Sequence, residues 1–203
     1  GAILWLTDGQ NTVEILRQSA SLPIVCIPPF PQTEIHLAQY YCSAIQSHFA
    51  IKIPQNLSDC FPARSTEGQY ALIHPGSGSF KKNYSPLMYR ELANILRQSG
   101  YPKVGFVFGP VEEEKMNKED FTGEWIESPK DVIALADLLS RASLYVGNDS
   151  GVSHLAGFTG TQTIVLYKTT DPKTWGVLGK KVTHIPADDE NSALHNIQEY
   201  LIE

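Results

Sequence analysis

Two segments of this 203-residue chain combine residue types that suit an anion. The first is His74-Pro75-Gly76-Ser77-Gly78-Ser79-Phe80-Lys81-Lys82, which directly follows a short apolar run. Gly76 and Gly78 let the backbone approach a ligand closely, the serines bring hydroxyl donors, and the lysines bring positive charge. Those are the needs of a phosphate site. It is not a Walker A loop, because no Gly-Lys-Ser/Thr opens a helix here. A flexible glycine-serine turn with two solvated lysines has the same composition, so this segment alone decides nothing.

The second segment is Gly147-Asn148-Asp149-Ser150-Gly151-Val152-Ser153-His154. A strand ends and a helix begins at Asp149-Ser150-Gly151, which leaves backbone N–H groups able to bind an anion. The helix dipole adds ~0.3–1 kcal/mol. His154 lies one turn after Ser150 on the same helix face, within reach of a phosphate held there. Equally, Asp149 is an ordinary N-cap residue, and an isolated helical histidine is often simply packed or exposed.

Between these lies Phe108-Gly109-Pro110-Val111-Glu112-Glu113-Glu114. A carboxylate after a strand in an α/β nucleotide site commonly accepts hydrogen bonds from a ribose or base. Acidic residues also favour the first turn of a helix for its own sake. Two phosphate-type loops with an acidic loop between them describe a nucleotide-diphosphate site better than any one does.

Other chemistries fit poorly. Asp149, Ser150 and His154 fall within one helical turn and cannot surround a carbonyl as a hydrolase triad must. Neither His-x-x-x-His nor a paired-cysteine motif suggests a metal. Cys26, Cys42 and Cys60 lack metal-ligand spacing and read as reduced thiols.

The elements that must position these loops alternate along the chain. Ala2 to Leu6 and Pro23 to Ile27 read as strands, with a helix over Asn11 to Gln18 that turns Val13, Ile15 and Leu16 inward. Thr33 is the expected N-cap of a helix running to about Phe49, with Ile35, Ala38, Cys42, Ile45 and Phe49 as its apolar stripe. Periodicity fades from Ile51 to Gly68, which reads as a linker. A fuller series follows: strands at Tyr70 to His74, Val104 to Phe108, Leu144 to Val146, Thr163 to Tyr167 and Val182 to Ile185. Helices are expected from Ser85-Pro86 to Gly100, from Ser128-Pro129 with Val132, Leu135, Ala136 and Leu139 inward, through His154, and from Ser192 to Ile202. The alternation implies α/β architecture, a mostly parallel sheet with helices on both faces. Residues 1–68 supply two strands, too few for an independent α/β domain, so they either extend the 69–203 domain or belong to a second one.

Composition agrees with a folded chain of this class. Hydrophobic residues make up 42% and charged residues 19%, near the globular average. A net charge of −6 argues against nucleic acid as a partner. No run approaches the ~20 apolar residues of a spanning helix, so no transmembrane segment is expected.

Asn148-Asp149-Ser150-Gly151-Val152-Ser153-His154-Leu155-Ala156 resembles the Asp-Ser/Thr-Gly-x-x-His-x-Ala signature of glycosyltransferase family 9, the ADP-heptose:lipopolysaccharide heptosyltransferases. His74-Pro75-Gly76-Ser77 with Lys82-Asn83-Tyr84-Ser85-Pro86 resembles that family's Pro-Gly-Ser…Lys-x-Trp-Pro segment. Gly109-Pro110 with its glutamates, and Tyr167 through Thr170-Asp171-Pro172 to Trp175, match further blocks in the same order. The resemblance covers about residues 70–180, and residues 2–50 look more weakly like the later part of the family's N-terminal domain.

The resemblance implies a GT-B architecture, two Rossmann-like domains facing across a cleft, with residues 69–203 as the C-terminal nucleotide-sugar domain and 1–68 as part of the acceptor-side domain plus linker. By position, Gly76, Ser77 and Gly78 would border the diphosphate and Lys82 would neutralise it. Asp149, Ser150 and Gly151 would hold phosphates or sugar, with His154 close by, and Glu113 would meet the ribose. The implied reaction is inverting, metal-free transfer of a heptose from ADP-heptose to a lipopolysaccharide-core acceptor, with no cofactor beyond the donor. It implies a cytoplasmic protein in which contact with the inner membrane would be peripheral. A non-catalytic nucleotide-sugar-binding module and a GT-B-type nucleotide-sugar epimerase are the alternatives. Tyr84 stands where the family has Trp, with Ser85 before Pro86, and Lys168 stands where a Gly is usual. The family's catalytic carboxylate sits near a glycine-rich loop early in the N-terminal domain and has no counterpart here. Asp8 follows a strand, but in the wrong part of that domain. The chain is therefore expected to be a shortened or degenerate relative that does not turn over alone.

Overall fold

A computed structural model describes residues 2–6, 12–19, 24–63, 68 and 70–202. Asp8, and the expected element starts at Asn11 and Pro23, lie outside the described residues. The chain forms two compact units, residues 1–55 and 56–203. The boundary falls earlier than the sequence suggests. Residues 56–63 belong to the second unit, where a 3-10 turn at Leu57–Cys60 lets Ser58 Oγ accept from the Gly179 N–H at 3.4 Å. Phe61 meets Phe158 edge-on at 5.4 Å.

In the first unit, β1 (Ala2–Trp5) and β2 (Ile24–Ile27) pair in parallel, with α1 (Thr12–Ser19) between them in sequence and α2 (Leu37–His48) after them. This pair is a separate sheet and does not extend the larger one. Two strands cover little: Val13 is buried, but Ile15 is 59% exposed and Leu16 37%, against the inward placement expected of all three. Helix α2 starts at Leu37 rather than after Thr33. The His36 ring nitrogen caps it, accepting from the Ala38 N–H at 3.2 Å.

The second unit holds β3 (Ala71–His74), α3 (Pro86–Gln98), β4 (Val104–Val107), α4 (Pro110–Lys115), β5 (Trp125–Glu127), α5 (Val132–Ser140), β6 (Leu144–Asn148), α6 (Gly151–Thr159), β7 (Thr163–Tyr167), α7 (Pro172–Trp175), β8 (Val182–Pro186) and α8 (Glu190–Ile202). Its six strands are all parallel, in the order β5-β4-β3-β6-β7-β8. Renumbered from its first strand, that is the 3-2-1-4-5-6 order of a Rossmann sheet.

Residue alternation explains the layers. Ala71 and Ile73 of β3 face one side with Met88, Leu92 and Leu96 of α3 and Ala193 and Ile197 of α8. Leu72 faces the other, with Leu138 and Leu139 of α5 and Ala156 of α6. Local signals set the helix ends. The Ser85 hydroxyl accepts from the Met88 N–H with Pro86 at the first position, and Gly100 at φ +97° follows the end of α3. Helix α5 starts at Val132 with Asp131 as N-cap, later than Ser128-Pro129 suggested, which leaves Val132 64% exposed. Among the described residues no helix is long and apolar enough to cross a membrane.

Candidate functional site

In a sheet of this order the chain leaves β3 in one direction and β6 in the other, which opens a crevice beyond their carboxyl ends. The loops 75–82 and 149–154 follow β3 and β6, which are hydrogen-bonded neighbours with His74 opposite Gly147. The two anion-type segments therefore meet in space.

Asn148, fully buried at the end of β6, joins them. Its amide N–H2 donates to the carbonyl of Pro75 at 3.0 Å and to Asn83 Oδ1 at 3.3 Å, and its Oδ1 accepts from the Tyr89 hydroxyl at 3.0 Å. Ser77 Oγ also donates to Asn83 Oδ1, at 2.7 Å. Burial pushes the hydroxyls of Tyr84 and Tyr89 well above the ordinary phenol range, so both stay protonated and able to donate. Asn148→Ala strands a buried carbonyl and a buried hydroxyl together. It is expected to cost about 2–3 kcal/mol, read as a fall in the urea midpoint at unchanged slope.

Beside this junction Lys82 Nζ lies 2.6 Å from Asp149 Oδ2, with the carboxylate nearly buried and the lysine about one-quarter exposed. Thr170 Oγ1 donates to the same oxygen at 2.8 Å. His154 Nε2 stands 3.9 Å from Asp149 Oδ1, half in solvent. Lys82 and Asp149 touch, so no ligand fits between them as they stand. Neither residue is among those that line the open groove.

The open space is a groove of about 740 Å³ along the ends of β3, β4 and β6, within the usual range for small-molecule sites. Ser77, Gly78, Ser150, Gly151 and His154 line it. At α6 the Ser150 hydroxyl caps the helix by accepting from the Ser153 N–H, and a Cβ on exposed Gly151 would meet nothing within 4 Å. Val107, Val111, Val132, Leu135, Leu155 and Phe158 supply apolar wall to the groove.

Gly76 stands one step behind that wall. Its missing side chain makes room for Glu112, since a Cβ there would lie 1.7 Å from Glu112 Oε1. Glu112, at the third position of α4, turns back to accept from the Gly109 N–H at 2.8 Å, and its carboxylate sits 3.5 Å from His74 Nε2. Burial pushes the Glu112 carboxyl up, but the hydrogen bond and charge of His74 and the backbone N–H groups outweigh it and hold it below the usual carboxylate range. His74 is itself buried, and among the described residues its Nδ1 has no hydrogen-bond partner.

Glu113 does not join this group. Its carboxylate pairs with Lys118 at 3.1 Å and accepts from Ser128 Oγ at 3.0 Å, outside the groove. Neighbouring residues on a helix point about 100° apart. The turn-back of Glu112 onto Gly109 decides which of the two glutamates faces inward, so Glu112 lines the groove, as does the α5 N-cap Asp131. Within the three candidate segments, the sequence by itself gives no individual role to His74, Glu112 or Asn148. A glutamate three residues after a helix-capping glycine is the signal that identifies the second of them.

The family model for glycosyltransferase family 9 (heptosyltransferase) matches residues 31–201. Lipopolysaccharide heptosyltransferase 1 of Escherichia coli (strain K12) is 28% identical over 161 residues, 78% of this chain and 47% of that protein. The structure of E. coli heptosyltransferase WaaC with ADP is similar at a TM-score of 0.67 and 21% identity, over 88% of this chain and 59% of WaaC. The family 9 glycosyl transferase from Veillonella parvula DSM 2008 is similar at a TM-score of 0.65 and 16% identity, over 87% and 56% of the two chains. At such identities the structural likeness speaks for the fold, and the chain spans about half the length of the curated relatives it matches. A parallel sheet with paired anion loops at its crevice, within a family match that runs from the first unit almost to the end of α8, leads to one assignment: the chain belongs to glycosyltransferase family 9.

Proposed function

We propose that the second unit is the donor site of a heptosyltransferase, binding a nucleoside-diphosphate sugar of the ADP-heptose type for transfer to a lipopolysaccharide-core acceptor. The observation that carries this reading is that Ser77-Gly78 and Ser150-Gly151 line one groove together with apolar side chains. The flat faces of a base suit the wall of Val132, Leu135 and Phe158, and Glu112 at the inner side suits a ribose hydroxyl. The diphosphate then reaches the N–H groups of Gly151 and Val152 and the imidazole of His154.

Transfer leaves a nucleoside diphosphate carrying the charge of the broken glycosidic bond. The α6 N-terminus, His154 and Lys82 would stabilise that charge without a metal. Inversion needs a base on the acceptor side to take the hydroxyl proton. What supports the heptose and the acceptor is the name of the relative, lipopolysaccharide heptosyltransferase 1.

ADP at about 100 times its Kd should stabilise the fold by ~2.7 kcal/mol, a rise in Tm of about 5–10 °C for a domain of this size. Differential scanning fluorimetry checks this, with UDP in parallel. A larger shift with UDP would favour an epimerase, and no shift with either would remove the donor-site reading.

A further inference from the structure

The loop after β7 lies outside the groove wall, yet it touches both sides of the Lys82–Asp149 pair. Thr170 holds the Asp149 carboxylate. Two residues earlier, Lys168 Nζ donates to the backbone carbonyl of Asn83, next to Lys82, at 2.9 Å. The same ammonium lies 4.9 Å from the centre of the Tyr84 ring, a favourable place for a cation. Tyr84 is a firm platform, because it is buried and its hydroxyl donates to the Ala187 carbonyl. Both of these contacts are to uncharged groups.

The loop that carries Lys82 is thus tied at two ends. Asn148 holds its start at Pro75 and its far side at Asn83 Oδ1. Lys168 holds its finish through the Asn83 carbonyl. Between them the 3-10 turn Phe80–Lys82 keeps its own bonds, Lys82 N–H to Ser79 O at 3.0 Å and Asn83 N–H to Phe80 O at 3.1 Å. A lysine on a flexible loop would spread its charge over many positions, whereas one on a turn pinned at both ends presents it at one.

We propose that Lys168 is a positioning residue for the diphosphate, pinning the Phe80–Asn83 turn so that Lys82 stands at a fixed place beside Asp149. The inference rests on the nucleotide-sugar reading of the groove. Lys168 acts through Lys82, by way of the Asn83 carbonyl.

The test compares wild type, Lys168→Met and Lys168→Arg by calorimetric binding of ADP and of adenosine, with ligand-free hydrogen exchange over residues 80–83. Lys168→Met should lose about tenfold in ADP affinity, the effect of about one hydrogen bond, with adenosine binding unchanged. Its turn amides should exchange faster than in wild type, and Lys168→Arg should restore both. If Lys168→Met does not fold, Lys168→Leu, which likewise carries no donor, is read the same way. Wild-type affinity for ADP in the variant, equal losses for ADP and adenosine, or unchanged exchange would each overturn the proposal. A wild-type protein that binds ADP no better than adenosine would instead overturn the donor-site reading, leaving the exchange comparison to decide whether Lys168 holds the turn.

Discussion

Gly76→Ala is expected to destabilise the second unit by about 3–5 kcal/mol, the sum of overpacking and newly unpaired buried groups. The added methyl would fall 1.7 Å from Glu112 Oε1, 2.4 Å from its Cδ and 2.7 Å from its Cγ. A surface glutamate would swing aside. This one is buried, bonded to the Gly109 N–H and set against His74. Expelling its carboxylate leaves the His74 ring, whose Nδ1 already lacks a partner among the described residues, without its acidic neighbour at Nε2 as well. The groove wall changes with it, so ADP affinity should fall alongside stability. Gly78→Ala is the control, because a Cβ there meets nothing within 4 Å and its stability should stay within ~0.5 kcal/mol. Chemical denaturation of the two variants checks the contrast.

Gly151→Asp should move stability and binding in opposite directions. Position 151 opens α6, is exposed and has open space for a side chain. A carboxylate in the first turn of a helix stabilises it by ~0.3–1 kcal/mol, and replacing glycine adds a similar amount. The same carboxylate would stand where the diphosphate is proposed to bind. Two unit charges about 5 Å apart repel by roughly 3 kcal/mol at an effective dielectric of about 20, about a hundredfold in affinity. The expected outcome is a higher Tm without ligand and loss of the ADP-induced shift. Gly151→Ala should keep the shift, which separates charge from bulk. Fluorimetry with and without ADP reads both effects in one experiment.

What could be read in the sequence was what is encoded locally. Ser85-Pro86 and Asp149-Ser150-Gly151 mark helix starts by their own capping chemistry, and α3 and α6 begin where they indicate. The strands β3, β4, β6 and β7 are apolar runs because both sheet faces are covered, and they were found for that reason. The short strand β5 has only three residues, none fully buried, and left no such run. Candidate site residues were legible as types but not as directions. Ser77 and Gly151 reach the groove, whereas Glu113 gives way to Glu112 because one side chain caps its own helix. Gly76 and Gly78 looked alike in sequence, but Gly76 makes room for a buried carboxylate and Gly78 borders open space. Lys82 and Asp149 were both expected at the ligand, and their contact with each other depends on the neighbouring positions of β3 and β6 in the sheet. In the first unit, Ile15 and Leu16 carry a good apolar pattern but face too small a sheet to bury them.

A structure of the protein with ADP bound tests the central claim most directly: that the turns following β3 and β6 jointly grip a nucleoside diphosphate. The account predicts diphosphate oxygens within hydrogen-bond distance of the Gly151 N–H and beside Ser77 and Gly78, with the base against Val132 and Leu135. Nucleotide bound elsewhere on the chain, or an empty groove at saturating ADP, would contradict it.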